Sequence, residues 1–280
     1  MITWWQHIPE HLDPIVFSVG SFSLRWYAVF FLLGWGAAYG LARLRAKRGE
    51  SPLRKDALAD VFLWILFGAI AGARLGYGIL YDRTLLAHPL SFVSPYAATG
   101  AWAGISGMSY FGGAIGVIVT AWFLARKRRL GFFAVTDFLV PLVPAAIFFG
   151  RLGNFFNLEL VGRTTMSPFG MRFLWDAPGT LRYPSTLFEA FFEGVLLFVL
   201  FWHLRTRRLF PGALSALYLV AYGIMRFAME LFRAPEGFSA YGFDRWVTVG
   251  QLYALLSITA GISLLLILSS RRRKNGTLKR

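Results

Sequence analysis

Four polar side chains lie on one face of an apolar stretch in the last quarter of the sequence. Tyr222, Arg226, Glu230 and Arg233 are spaced four, four and three residues apart, which places them on one side of an α-helix. An arginine inside a membrane is costly unless it has a partner or binds a ligand. One carboxylate cannot fully satisfy two guanidinium groups, so the stripe predicts a site for an anion such as a lipid phosphate. The alternative is a self-contained ladder in which Glu230 neutralises both arginines.

Further polar residues occur in or beside other apolar stretches. The segment 151–163 combines arginines, amides, a carboxylate and flexible glycines, and Gly112 and Gly113 could let a head group or a peptide approach the backbone. Small residues at that position are equally compatible with close helix packing. The candidates from these stretches are Arg74, Gly112, Gly113, Arg151, Asn154, Glu159, Gly162, Glu189 and Glu193.

The elements that must position these residues are transmembrane helices. Hydrophobic residues make up 56% of the chain and the mean hydropathy is +0.54. The apolar runs approach the length of about 20 residues that a helix needs to cross a bilayer, and only helices or closed barrels satisfy their backbone in lipid. We therefore predict an all-α, polytopic bundle that forms one integral membrane domain over residues 1–280. The seven predicted spans are 25–43, 56–81, 107–125, 132–150, 186–204, 212–233 and 248–270.

The basic residues predict the orientation of the chain. The net charge is +15, and most lysines and arginines fall in four short clusters, at 43–55, 126–129, 205–208 and 271–280. These clusters follow alternate spans, so the positive-inside rule places the N-terminus outside and the C-terminus in the cytoplasm. Such a distribution argues against a nucleic-acid partner, which needs one continuous basic face.

The depth and type of the polar residues limit the functions that the protein can have. Most charged side chains of the spans fall in the outer halves, which favours a site open to the outer leaflet over a transporter path with polar residues at the midplane. The chain has no cysteine, so a cysteine nucleophile and thiolate metal sites are excluded. We expect no metal and no cofactor.

Several segments resemble bacterial prolipoprotein diacylglyceryl transferases. The segment Arg151-Leu-Gly-Asn-Phe-Phe-Asn-Leu-Glu-Leu-Val-Gly-Arg163 is similar to the signature segment of that family. The resemblance extends over nearly the whole chain, through residues 13–17, 25–27, 72–77, 107–113, 183–189 and 222–233.

The resemblance implies a reaction and a location. Family members transfer diacylglyceryl from phosphatidylglycerol to the lipobox cysteine of a prolipoprotein signal peptide, forming a thioether and releasing glycerol phosphate. This implies a multi-pass protein of the bacterial inner membrane that contacts membrane lipids, with its active site towards the outer leaflet and periplasm. The implied catalytic residues are Arg151 and Arg226, which would hold the phosphate, with Tyr27 and Glu159. The implied substrate-binding residues are Asn154, Gly162, Gly112, Gly113, Tyr222, Glu230, Arg233, Glu189 and Arg74.

The sequence departs from the family pattern at two positions. Phe111 and Tyr183 stand where the family commonly has histidine, and the first of these histidines is often proposed as the base for the thiol. We expect arginine electrostatics to supply most of the thiol activation, because nearby positive charge lowers a thiol pKa. Glu189, Glu159 or Tyr110 could accept the proton. The alternative is a relative that binds phospholipid but has altered or lost the transfer.

Overall fold

The computed structural model describes residues 3–20, 22–80, 82–83, 107–234 and 248–277, without the side chains of Thr3, Tyr110 and residues 274–277. The contacts divide the chain into two compact units. The first unit comprises Met1–Phe17, Leu24–Leu41 and Asp137–Arg280, and the second comprises Ser18–Ser23 and Ala42–Thr136. The single integral membrane domain predicted over residues 1–280 spans both units, and it stays a prediction.

Helices dominate both units, because each long apolar stretch satisfies its backbone polar groups internally only as a helix. The helices are α1 (Thr3–His7), α2 (Trp26–Lys47), α3 (Leu58–Leu80), α4 (Tyr110–Lys127), α5 (Phe132–Leu139), α6 (Val143–Phe156), α7 (Ser185–Glu189), α8 (Leu197–Leu204), α9 (Ala213–Met229) and α10 (Val249–Thr277).

Five helical stretches of the described residues are long and apolar enough to cross a membrane. They are Trp26–Lys47, Lys55–Leu80, Phe132–Phe156, Ser185–Leu204 and Val249–Arg273. The prediction of an all-α membrane protein is therefore confirmed. Helices α4 and α9 coincide with the other two predicted spans but are not among these five, so the count of seven crossings stays a prediction.

Several local features depart from regular α-helix, among them the short 3₁₀ helices Ile8–His11 and Lys55–Ala57. A 3₁₀ turn, Val140–Leu142, joins α5 to α6 where Pro141 and Pro144 interrupt the hydrogen-bond ladder. A π-helical segment, Ala190–Leu196, joins α7 to α8. Before α2, the short strands β1 (Ile15–Val19) and β2 (Phe22–Arg25) pair in a two-stranded sheet, which the spacing of apolar residues did not predict.

Glycines bring helices of the first unit into close contact. A Cβ on Gly34 would lie 3.1 Å from Ala146 O, and one on Gly153 would lie 3.1 Å from Phe30 Cβ, so α2 packs directly on α6. Gly223 and Gly261 have the same function between α9 and α10. Small residues permit such approach between membrane helices, and here they fix the helices that carry the polar side chains.

The second unit is built on a close pair of helices, α3 and α4. Gly72 and Gly76 of α3 face Gly112 and Gly116 of α4, with so little space that a Cβ on Gly76 would lie 2.7 Å from Gly112 Cα. Glycine recurs at every fourth residue of α3, at Gly68, Gly72 and Gly76. These glycines thus have a packing role.

Candidate functional site

Three segments of the first unit bring six charged side chains together. Arg151 lies near the end of α6, and α9 carries Arg226 followed by Glu230 and Arg233 in the next turn. Glu189 ends α7, and Glu193 lies in the π-helical segment. We call these six residues the ionic cluster; they are Arg151, Glu189, Glu193, Arg226, Glu230 and Arg233.

Glu189 is the centre of the ionic cluster. Its Oε1 accepts hydrogen bonds from Arg226 Nη1 at 2.9 Å and from Arg233 Nη1 at 3.1 Å. Its Oε2 lies 2.9 Å from Arg151 Nε. The carboxylate is fully buried, and charge-assisted hydrogen bonds of this length are the strong ones. One anion therefore holds three guanidinium groups from two separate helical segments.

Glu230 is the second anchor of the arginines. Arg226 Nη2 donates to Glu230 Oε2 at 2.7 Å, and Arg233 Nε lies 3.8 Å from the same oxygen. Thr248, just before α10, donates its hydroxyl to Glu230 Oε1 at 3.0 Å. Gly250 leaves room for this carboxylate, since a Cβ there would lie 2.5 Å from it. The ladder that the sequence offered as an alternative is thus present, but Glu230 shares the arginines with Glu189.

Glu193 has looser contacts than the other two carboxylates. Its oxygens lie 3.7 Å from Arg151 Nη2 and 3.8 Å from Arg226 Nη1. Neither oxygen accepts a hydrogen bond from the described part of the chain, although the side chain is fully buried. Glu193 thus interacts with the arginines mainly by charge.

The loop after α6 holds a second group of predicted site residues. Asn154 Nδ2 donates to Glu159 Oε1 at 3.2 Å, and Arg151 Nη1 donates to Asn154 Oδ1 at 3.5 Å. Asn157 Oδ1 accepts from the backbone N–H of Tyr27 at 3.1 Å, which satisfies a free donor in the first turn of α2. The Tyr27 hydroxyl lies within electrostatic range of Glu159 and Arg151. Asn154, Glu159 and Tyr27 therefore continue the site from Arg151.

Backbone conformation directs Glu159 towards Asn154. Leu158 and Leu160, on either side of Glu159, have φ of +58° and +55°, a left-handed region that costs a non-glycine residue roughly 1–2 kcal/mol. The conformation is held by the hydrogen bonds from Glu159 N to Asn154 O at 3.1 Å and from Ser185 Oγ to Leu160 O at 2.9 Å. Such strain is typical of functional loops.

Gly162 has a packing role beside the cluster. Its N–H donates to Tyr183 O at 2.9 Å, and a Cβ would collide with the carbonyls of Tyr183 and Phe232. Arg182 donates to Gly162 O at 3.3 Å and pairs with Asp176. The hydrogen bond to Asp176 raises the pKa of Arg182 above its ordinary value. Because Gly162 has no side chain, residues 162–163 can pair with the backbone of residues 232–233.

The remaining predicted residues lie elsewhere. Tyr222, one turn before Arg226, stacks on Tyr218 with ring centroids 5.8 Å apart and packs against an apolar cluster. Arg74, Gly112 and Gly113 belong to the second unit. There the buried Arg74 donates to Gly107 O at 3.1 Å, and Gly112 packs on α3. Substrate binding by these four residues stays a prediction.

The suggested proton acceptors differ in their surroundings. Glu189 already holds three arginines, whereas Glu159 is exposed and accepts a hydrogen bond from Asn154 at 3.2 Å. The side chain of Tyr110 lies outside the described residues. Phe111 is half-buried. Of the two carboxylates, Glu159 is the more accessible.

Sequence reasoning named Glu193 as a candidate but did not include Asn157, Thr248 or Gly250 in the site. For Glu193 the four-residue spacing from Glu189 was a usable signal, because it places two acids on one helical face. Thr248 and Gly250 had no such signal, since they meet Glu230 only through the packing of α10. Among the described residues, no three potential ligands converge as a metal site, and the absence of a metal or cofactor stays a prediction.

Membrane-length helices around a buried arginine–carboxylate cluster define a polytopic membrane protein with an ionic site. The family model described as prolipoprotein diacylglyceryl transferase matches residues 14–267. Similar proteins named phosphatidylglycerol–prolipoprotein diacylglyceryl transferase occur in several bacteria. That of Chlorobaculum tepidum is 38% identical over 277 residues, covering 98% of this chain and 95% of the relative. That of Solidesulfovibrio magneticus is 42% identical over 266 residues (92% and 95%), and that of Coxiella burnetii is 40% identical over 255 residues (90% and 93%). The chain belongs to the prolipoprotein diacylglyceryl transferase family, and the predicted resemblance is confirmed.

Proposed function

We propose that this protein transfers diacylglyceryl from phosphatidylglycerol to the lipobox cysteine of prolipoproteins, the first step of lipoprotein maturation. The cysteine sulfur attacks a glycerol carbon of the lipid, a C–S bond forms and the C–O bond to phosphate breaks. The thiol loses its proton, and glycerol phosphate leaves with the electrons of the broken bond. The family match over residues 14–267 is the observation that carries this proposal.

The ionic cluster provides the groups that the reaction needs. Negative charge develops on the departing phosphate, and Arg151 and Arg226 are the cations that would stabilise it. Glu189 holds both guanidinium groups, and their side chains stay 17% and 16% exposed. A guanidinium has five N–H donors, so each arginine can bind a carboxylate and a phosphate oxygen at once.

The same arginines activate the thiol in this proposal. A cysteine beside a guanidinium has a lowered pKa, so thiolate forms without the histidine that Phe111 replaces. The exposed Glu159, next to Asn154 and Tyr27, accepts the proton. Tyr183 stands at the second position where the sequence departs from the family pattern. It has a packing role, because its ring contacts that of Phe232 edge to face, with centroids 5.2 Å apart.

The topology follows from the basic clusters. Seven helices cross the bacterial inner membrane, with the N-terminus outside and the C-terminus in the cytoplasm. The ionic cluster then lies towards the outer leaflet, where phosphatidylglycerol and the signal peptides of prolipoproteins reach it. The basic cluster 205–208 precedes α9 and the cluster 271–280 lies at the end of α10, so both are cytoplasmic in this orientation, as the positive-inside rule requires.

The first test is transfer by the purified protein. Phosphatidylglycerol and a peptide with a lipobox cysteine are added in detergent, and mass spectrometry follows the peptide. We expect the mass of one diacylglyceryl group on the cysteine and none on a serine peptide. Arg226→Ala should reduce the rate by about 100-fold or more, the usual cost of one transition-state donor.

The controls separate catalysis from folding. Arg54→Ala removes an arginine whose side chain is 85% exposed and should leave the rate unchanged. Arg226→Lys keeps the charge opposite Glu189 and should fold, while it loses the bidentate geometry. Full activity in a folded Arg226→Ala protein would contradict the assigned role of the arginine.

The alternatives give different results. A folded protein that binds phosphatidylglycerol but modifies no peptide would favour a relative with altered activity, and Phe111→His would then be tested for restored transfer. A transporter would move lipid or solute across vesicles without modifying the peptide. The names of the relatives favour the transferase over both.

A further inference from the structure

Two buried carboxylates four residues apart, Glu189 and Glu193, lie at different distances from the same two arginines. Glu189 lies 2.9 Å from Arg151 Nε, as an ion pair, and accepts a hydrogen bond from Arg226 Nη1 at 2.9 Å. Glu193 approaches these two arginines only to 3.7 and 3.8 Å. A carboxylate that merely positions guanidinium groups is expected at hydrogen-bond distance, as Glu189 is.

Burial makes the loose contacts of Glu193 costly. Both of its oxygens are buried and accept no hydrogen bond from the residues that the structure describes. Nearly all buried polar groups in proteins have a partner, and an exception calls for an explanation. The π-helical segment Ala190–Leu196 that carries Glu193 is itself a rare element, often found at functional sites.

Charge balance gives the explanation. The cluster holds three arginines and three glutamates, so its formal charges cancel when Glu193 is ionised. Replacement of Glu193 by a neutral residue leaves one excess positive charge, beside the two arginines that would hold phosphate. Arg226 keeps its hydrogen bonds to Glu189 and Glu230, and Arg151 keeps its ion pair with Glu189 at 2.9 Å. The loss of Glu193 therefore changes the charge more than the geometry.

We propose that Glu193 is a buried counter-charge that weakens the hold of Arg151 and Arg226 on phosphate and so promotes release of the product. The proposal rests on the proposed function, in which these arginines bind the lipid phosphate. The substrate is a phosphodiester with one negative charge, whereas the product is a phosphomonoester with a charge of about −1.5 to −2 at pH 7. Repulsion by Glu193 is therefore stronger for the product than for the substrate.

Glu193→Gln tests this proposal, because it removes the charge and keeps the shape. We expect the inhibition constant of glycerol 1-phosphate to fall by about fivefold or more, the lower end of typical coupling between two bound groups. The KM for phosphatidylglycerol should fall by a smaller factor, and kcat should fall as release slows. Glu193→Asp, which keeps the charge, should retain the wild-type inhibition constant to within about twofold, well inside that coupling.

The sign of the effect excludes a merely structural role. Damage to the cluster would weaken binding of both ligands, while removal of a counter-charge tightens it. Glu50→Gln, which neutralises a carboxylate paired with Arg45 in the second unit, is the matched control and should change neither constant. An unchanged or raised inhibition constant in Glu193→Gln would overturn the proposal.

Direct binding separates this proposal from the proposed function. Glycerol 1-phosphate is titrated into the wild-type and Glu193→Gln proteins, and the rise in melting temperature is followed without peptide or lipid substrate. If the wild type transfers nothing but Glu193→Gln binds the phosphate more tightly, the transferase proposal fails and the counter-charge stands. Equal binding by the two proteins, or no binding by either, overturns the counter-charge proposal.

Discussion

At the residue scale, Gly250 shows how closely the ionic cluster is packed. A methyl group at this position would lie 2.5 Å from the Cδ and both carboxylate oxygens of Glu230. Real Cβ atoms do not approach so closely, so either the carboxylate or the start of α10 must shift. The position therefore tests the Glu230–Arg226 pair without altering either charge.

We expect Gly250→Ala to destabilise the protein by about 1–3 kcal/mol, the usual cost of overpacking, and to reduce transfer. Thermal unfolding in detergent and the peptide assay measure the two effects. Gly36→Ala in α2 is the control, because nothing in the described part of the chain lies within 4 Å of the added methyl group. Equal behaviour of both variants would show that the carboxylate is free to move.

Some residues of the site followed from their spacing and others did not. Arg226, Glu230 and Arg233 were predicted because a helix with 3.6 residues per turn places them on one face. The approach of Arg151 to Glu189 depends on how separate helices pack, which spacing within one helix does not determine. The left-handed backbone at Leu158 and Leu160 also had no signal, since leucine rarely adopts positive φ.

At the scale of elements, the contact between α3 and α4 distinguishes two adjacent glycines. A Cβ on Gly112 would lie 2.8 Å from Gly76 Cα and collide with Gly72 O. A Cβ on Gly113 would lie at an ordinary 3.4 Å from Ala69 O. Both were predicted to bind substrate, but only Gly112 is required for close helix packing.

Gly112→Ala should therefore lower the stability of the protein by about 1–3 kcal/mol, whereas Gly113→Ala should fold normally. Thermal unfolding in detergent distinguishes them. A stable Gly113→Ala variant with a raised KM for phosphatidylglycerol would support substrate binding at Gly113. If the two variants unfolded at the same temperature, the packing difference would be refuted.

The positions of the helices were largely predictable, because long apolar stretches have few alternatives in lipid. The π-helical segment was not predicted, since an extra residue in a turn leaves no mark in an apolar sequence such as Ala190–Leu196. The β1–β2 hairpin was also missed. Its strands have only five and four residues and are mostly exposed, so no face of alternating apolar residues marks them.

At the scale of the whole molecule, the absence of cysteine allows a direct test of topology. Met166, between α6 and α7, is fully exposed, and Thr206, between α8 and α9, is also exposed. Single cysteines at these positions are the only thiols in the chain. In intact spheroplasts, a membrane-impermeant maleimide should label Met166→Cys and leave Thr206→Cys unlabelled, because basic loops stay in the cytoplasm.

Permeabilised cells provide the control, since both cysteines should then react. Labelling of Thr206→Cys alone in intact spheroplasts would show that the orientation is the reverse of the predicted one. It would place the ionic cluster towards the cytoplasmic leaflet, where a secreted precursor does not reach it.

The balance of charges in the ionic cluster also has a consequence for assembly. Helix α6 brings one positive charge, the segment with Glu189 and Glu193 brings two negative charges, and α9 with the turn after it brings one net positive charge. No segment is neutral alone, and each carries a cost while its charges face lipid. The three segments lose that cost only when they meet, so we expect their charges to favour the correct neighbours during assembly.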